Sequence, residues 1–146
     1  MTDGDGTGPG NPEDAGIAGL PREQERTGFT TLLEEIVVGC PGTVAAIFSD
    51  AEGETVDYCT FLEVFDTQIT GAQWGSVIAG VRELVAKVGQ GELEAVHVRG
   101  TERDFLIQLV GEGYYLTLVL SQGVGWGHAL TRARELARAL HRESGF

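Results

Sequence analysis

The chain has 146 residues, 42% of them apolar, which suits one globular domain with a single core and leaves too little for two. Its 22 acidic residues against 10 Lys and Arg give a formal net charge of -12, which disfavours phosphate backbones unless a local basic patch intervenes, so nucleic acid is not an expected partner. The two cysteines, Cys40 and Cys59, match neither a CxxC metal or redox motif nor a dense disulfide framework, and a reducing cytoplasm is the simplest setting.

Residues 1–27 are rich in Gly, Pro, Asp and Glu and carry few bulky apolar groups, so this segment is expected to be a disordered acidic tail. Its opening, MTDGDGTGPGNPED, is acidic where a signal peptide is basic and then apolar, and no run in the chain approaches the ~18 apolar residues of a membrane span. The domain is expected over 28–146. Phe29, Leu32, Leu33, Ile36 and Val37 make one apolar stripe of a first helix, Thr31 and Glu34 have capping-box spacing, and Gly39 followed by Pro41 is a stop. VAAIFSD (Val44 to Asp50) reads as a buried strand, turning through Ala51-Glu52-Gly53 into the more polar edge strand ETVDYCT.

FLEVFDTQIT is ambiguous in period. Beyond it lies the clearest signal in the chain, a long helix in which Trp74, Val77, Ile78, Val81, Leu84, Val85 and Val88 keep helical spacing. Gly89 and Gly91 end it. LEAVHVR, DFLIQLV and YYLTLVL follow, joined by links too short for anything but antiparallel hairpins. A final amphipathic helix runs from about His128 to Arg142, with Leu130, Ala133, Ala137 and Leu140 on one face and Arg132, Arg134, Arg138 and Arg142 largely elsewhere. The element order is therefore α-β-β-α-β-β-β-α, an α/β (α+β) class.

That order, with LLEEI, the Pro41-Gly42 step, VAAIFSDAEGETVD, GELEAVHVRG and DFLIQLVGEGYYLTLVL, resembles the Roadblock/LC7 family from about Phe29 onward. VDYCTF and EGYYLTLVLSQ look most like its bacterial Mgl-type polarity regulators, of the MglB or MglC kind. The resemblance implies a five-stranded antiparallel sheet of order 2-1-5-4-3, with the first and last helices on one face and the middle helix on the other. It also implies dimerisation through the middle helix and third strand, which places Trp74, Gly75, Ala79, Arg82, Ala86, Ala95, His97 and Arg99 at the candidate interface. Gly75, Ala79, Arg82 and Ala86 form a lane of mostly small side chains that would let a second helix approach, the alternative being a solvated face of good helix formers. The implied partners are a second copy or another Roadblock protein, and a Ras-like GTPase or a response-regulator-like polarity factor.

Nothing in the sequence assembles catalysis or a cofactor site. Gly123-Val124-Gly125-Trp126-Gly127 lies between strand and helix like a phosphate loop, but it lacks a GK[ST] step and its strands are antiparallel where a βαβ unit is required. Trp126 there reads as an exposed anchor or a lid on the core. His97, His128 and His141 have no metal-ligand spacing, and neither cysteine has a base beside it in the sequence. The basic last helix reads as a solvated face or a site for an acidic partner. The expected function is a non-enzymatic, cytoplasmic, dimeric adaptor in a small-GTPase pathway of cell polarity or motility. The alternatives are a ligand-sensing module of the PAS or GAF kind and a longin- or profilin-like protein-binding module.

Overall fold

Successive side chains of a strand point to opposite faces of its sheet, so a strand that is apolar throughout must be covered on both sides. The computed structural model, which describes residues 20–145, shows that arrangement. In chain order the elements are α1 (Thr30–Gly39), β1 (Thr43–Asp50), β2 (Thr55–Thr60), α2 (Val64–Lys87), β3 (Ala95–Arg99), β4 (Arg103–Val110), β5 (Tyr114–Ser121) and α3 (Trp126–Ser144). The five strands form one antiparallel sheet of order β2-β1-β5-β4-β3, with β2 and β3 at its edges.

On one face Ala46, Phe48, Leu106, Leu116 and Leu118 meet Leu33 and Ile36 of α1 and Ala133 and Leu140 of α3. On the other, Ala45, Ile47, Tyr58 and Val119 meet Val64 of α2, and Ile107 and Tyr115 meet Ile78. Each large aliphatic or aromatic side chain fully removed from water here stabilises the fold by roughly 1.5–3 kcal/mol. The first and last helices thus share one face and the middle helix holds the other, as the sequence resemblance implies.

The ambiguous FLEVFDTQIT is a short turn followed by helix, so α2 begins well upstream of Trp74. The Thr67 hydroxyl donates to the Glu63 carbonyl at 2.8 Å and lies 2.8 Å from the Thr60 hydroxyl, which accepts the Leu62 amide at 2.9 Å. This buried network ties the end of β2 to the first turn of α2.

The capping box expected at Thr31 and Glu34 does not form, and α1 has no side-chain cap. Glu34 is drawn instead to Arg26, whose guanidinium also reaches the Thr31 hydroxyl, while the Thr30 hydroxyl turns to Asp57 on β2. Long-range polar partners win over the local motif. Of the segment 1–27 expected to be a tail, residues 1–19 lie outside the described residues, as does Phe146. Residues 20–27 run along β2, with Leu20 packed against the α1/α3 core.

Close approach of α2 to the sheet requires glycine. A Cβ on Gly71 would stand 2.8 Å from Ile47 Cγ2 and 3.1 Å from Ser49 Oγ, both on fully buried residues that have no room to yield. Gly75 faces Tyr115 and the turn glycine Gly53, whose φ of +87° a residue with a side chain rarely adopts. Gly71→Val is therefore expected to cost about 2–3 kcal/mol of stability by overpacking, measured as a lower urea midpoint with an unchanged slope.

Candidate functional site

The sequence places Trp74, Val77, Ile78, Val81, Leu84, Val85 and Val88 on one stripe, and the structure divides that stripe. Ile78 is buried against the sheet and Trp74 is half-buried, its ring 5.1 Å from that of Phe105. Val77, Leu84 and Val88 are 48%, 60% and 56% exposed, and Phe65 near the start of the helix is 69% exposed. With Ile69 they form an apolar stripe along the outward side of α2. The helix is apolar on two sides, so periodicity alone could not say which side meets the sheet.

The expected small-residue lane is likewise split. Gly75 is buried within the protomer and unavailable to a second helix, because α2 needs it to lie on the Gly53 turn. Arg82 is half-buried and donates to the Glu112 carbonyl at 2.9 Å, which pins the helix to the β4–β5 turn. Ala79 and Ala86 are exposed, but they lie on the Arg82 side of the helix, two residues out of step with Val77, Leu84 and Val88 and so away from the apolar stripe.

β3 is the short strand at one edge of the sheet, with half-buried side chains from Ala95 to Val98 and an exposed Arg99. Ala95 packs on the α1/α3 core. His97 is stacked on Trp126, with ring centroids 3.5 Å apart and planes 15° from parallel, and its Nε2 lies 3.6 Å from an Asp104 carboxylate oxygen. Trp126 is thus a half-buried lid rather than an exposed anchor, and it opens α3 immediately after the glycine step. The C-terminal half of α2 and the lead-in to β3 line a surface cleft of about 440 Å³ that includes Arg82, Leu93, Leu109 and Glu112. Just before β3, the Arg134 guanidinium of α3 bonds the Glu94 carboxylate and holds it below the usual glutamate range.

The remaining chemistry is weak as a reaction centre. Burial pushes the Cys59 thiol up to about 12, and the Glu34 carboxylate adds to the shift, so no thiolate is available there. Cys40 is also buried. Among the described residues no group of three or more His, Cys, Asp or Glu can hold a metal ion, and no helix is long and apolar enough to cross a membrane.

The strand order, the pairing of α1 and α3 on one face and the lone α2 on the other define the Roadblock/LC7 fold. MglB of Myxococcus xanthus shares it with a TM-score of 0.73 at 14% identity, over 82% of this chain and 96% of that one. A Roadblock/LC7 domain from Streptomyces avermitilis matches with a TM-score of 0.73 at 14% identity, over 80% of this chain and 97% of its own. MglC from Myxococcus xanthus gives 0.60 at 22% identity, over 80% and 99% of the two chains. At such identities the likeness is one of fold. No family model matches the sequence, and no curated protein does.

Because its thiol is protonated and enclosed, Cys59 is expected to resist iodoacetamide at about pH 8.5, where an ordinary cysteine is half ionised, and to react fully once the protein is unfolded. Peptide mapping by mass spectrometry reads both states.

Proposed function

We propose that this chain is a non-enzymatic, cytoplasmic, dimeric adaptor that binds other proteins: a second copy or another Roadblock protein first, and then a component of a Ras-like GTPase pathway in cell polarity or motility. The GTPase itself and a response-regulator-like polarity factor are the two partner classes in view. One observation carries the reading. The outward stripe of α2, Phe65, Ile69, Val77, Leu84 and Val88, is too apolar for a helix whose only task is to cover a sheet, and Arg82 and Ala86 of the same helix line the cleft that leads into the β3 edge.

The physical scheme is sheet extension combined with helix packing. An edge strand offers unpaired N–H and C=O groups that a second β3 can satisfy, and two α2 helices brought together in the same step would bury their outer stripes. Ala79 and Ala86, on the Arg82 side of the helix, leave room for close approach. Trp74, His97 and Arg99 then frame the contact, whereas Gly75 contributes only by seating α2 correctly. The resulting platform would present apolar anchors with a charged rim, the usual composition of a protein-binding surface.

A sensor of the PAS or GAF kind requires a pocket inside the domain. Here the interior beneath α2 is filled by Ile47, Tyr58 and Ile78, and that beneath α1 and α3 by Phe48, Leu116 and Leu118. This favours the adaptor reading.

Light scattering on the purified protein tests it. The wild type is expected at twice the 15.6 kDa chain mass. Leu84→Asp, in the C-terminal half of the stripe, and Ala79→Glu, on the small-residue side of the same helix, are each expected to weaken self-association at least about thirtyfold, ~2 kcal/mol. A wild type that stays monomeric at high concentration would sink the proposal.

A further inference from the structure

The two edges of the sheet are not equivalent. Along β2 the pairing with β1 slips between Phe48 and Ser49, which leaves Val56 as the extra residue of a β-bulge. Three of the groups that β2 turns away from β1 nonetheless have partners, and these are side chains. The Val56 carbonyl accepts from Gln24 Nε2 at 3.1 Å, the Tyr58 carbonyl accepts from Arg22 at 2.9 Å, and the Tyr58 amide donates to the Asp57 carboxylate at 2.7 Å. Both backbone groups of Tyr58 are thereby used on the open side of the strand, where a neighbouring strand would bond.

The strap that does this is latched by a buried carboxylate. Asp57 is fully enclosed, and its two oxygens collect the Arg22 guanidinium at 2.7 Å, the Thr27 and Thr30 hydroxyls and Gln24 Nε2 at 3.4 Å. Arg22 also wraps the edge onto the opposite face, where it lies 5.2 Å from the centre of the Tyr58 ring, and the Glu23 amide donates to the Tyr58 hydroxyl at 2.7 Å. A buried charge is tolerated only when it is paired and fully hydrogen-bonded, so lifting residues 22–27 away would strand Asp57 as well as uncover β2. Strap and carboxylate hold each other in place.

We propose that β2 is a latent strand-addition edge, closed in cis by residues 22–27 acting through Asp57, and that its occupant when the strap is removed is the edge strand of a second copy of this chain. The guard has an assembly consequence. A sheet with one open edge forms a closed pair, whereas a sheet open at both edges grows without limit. The proposal stands on contacts at β2 and does not require that β3 pairs as inferred above.

The double variant Arg22→Ala/Gln24→Ala in the full chain tests it, with light scattering over a wide concentration range and amide hydrogen exchange. The variant is expected to add mass with concentration beyond whatever state the wild type adopts, and its Tyr58 amide to exchange at least about tenfold faster before assembly. A variant that keeps the wild-type mass at every concentration overturns the proposal, whatever its exchange rate, and leaves the dimer reading untouched. A wild-type monomer whose variant grows would sink the dimer reading and sustain this one. Should the double variant lose its circular dichroism signal, Gln24→Ala alone carries the same two readouts, since the Gln24 side chain bonds both the Val56 carbonyl and Asp57.

Discussion

The fold turns on how closely α2 can lie on the sheet. Gly71 sits directly over Ile47 and Ser49, and Gly75 over Tyr115 and the Gly53 turn, so the helix axis is held near the strands by what those positions lack. That contact fixes the rotation of the helix about its axis. Once Gly71, Gly75 and Ile78 point inward, Phe65, Ile69, Val77, Leu84 and Val88 have nowhere to go but outward. The exposed apolar stripe is thus a geometric consequence of a packing contact on the opposite side of the same helix.

Much of the architecture was legible because local patterns and global packing agree. VAAIFSD, DFLIQLV and YYLTLVL are apolar on both alternations, which suits inner strands of a sheet covered on both faces, and the short links between the last three strands allow only hairpins. The amphipathic last helix was equally clear, since Ala133, Ala137 and Leu140 are all buried. The middle helix was recognised as a helix, but which of its apolar positions face the sheet was not legible. Val77, Leu84 and Val88 fit the same period as Ile78, and an apolar side chain that awaits a partner looks no different in sequence from one already in a core. The place of Gly75 was hidden for the same reason, because a small residue suits a neighbouring sheet as well as a neighbouring helix.

Polar structure was the least legible layer. Thr31 and Glu34 carry a motif whose local bonds are outcompeted by Arg26, and Thr30 is claimed by Asp57, which lies 27 residues further along the chain. An isolated aspartate in VDYCT gives no hint that it collects four side chains from upstream. Nor does a run of Arg, Glu, Gln and Thr announce that it follows a strand edge. Such networks depend on long-range juxtaposition, to which propensity and periodicity are blind. Hydrophobic order was readable from the text of the sequence, whereas polar order had to be read from the structure.

The two tryptophans have a practical consequence. Trp74 lies on the α2 face of the sheet against Phe105, and Trp126 lies on the opposite face against His97, so the pair brackets the β3–β4 side of the molecule from above and below. The tryptophan emission of the protein, excited selectively over its three tyrosines, is therefore a label-free optical record of that edge. Anything that alters the packing around β3 perturbs one indole or both, while events confined to the β2 side leave the emission unchanged.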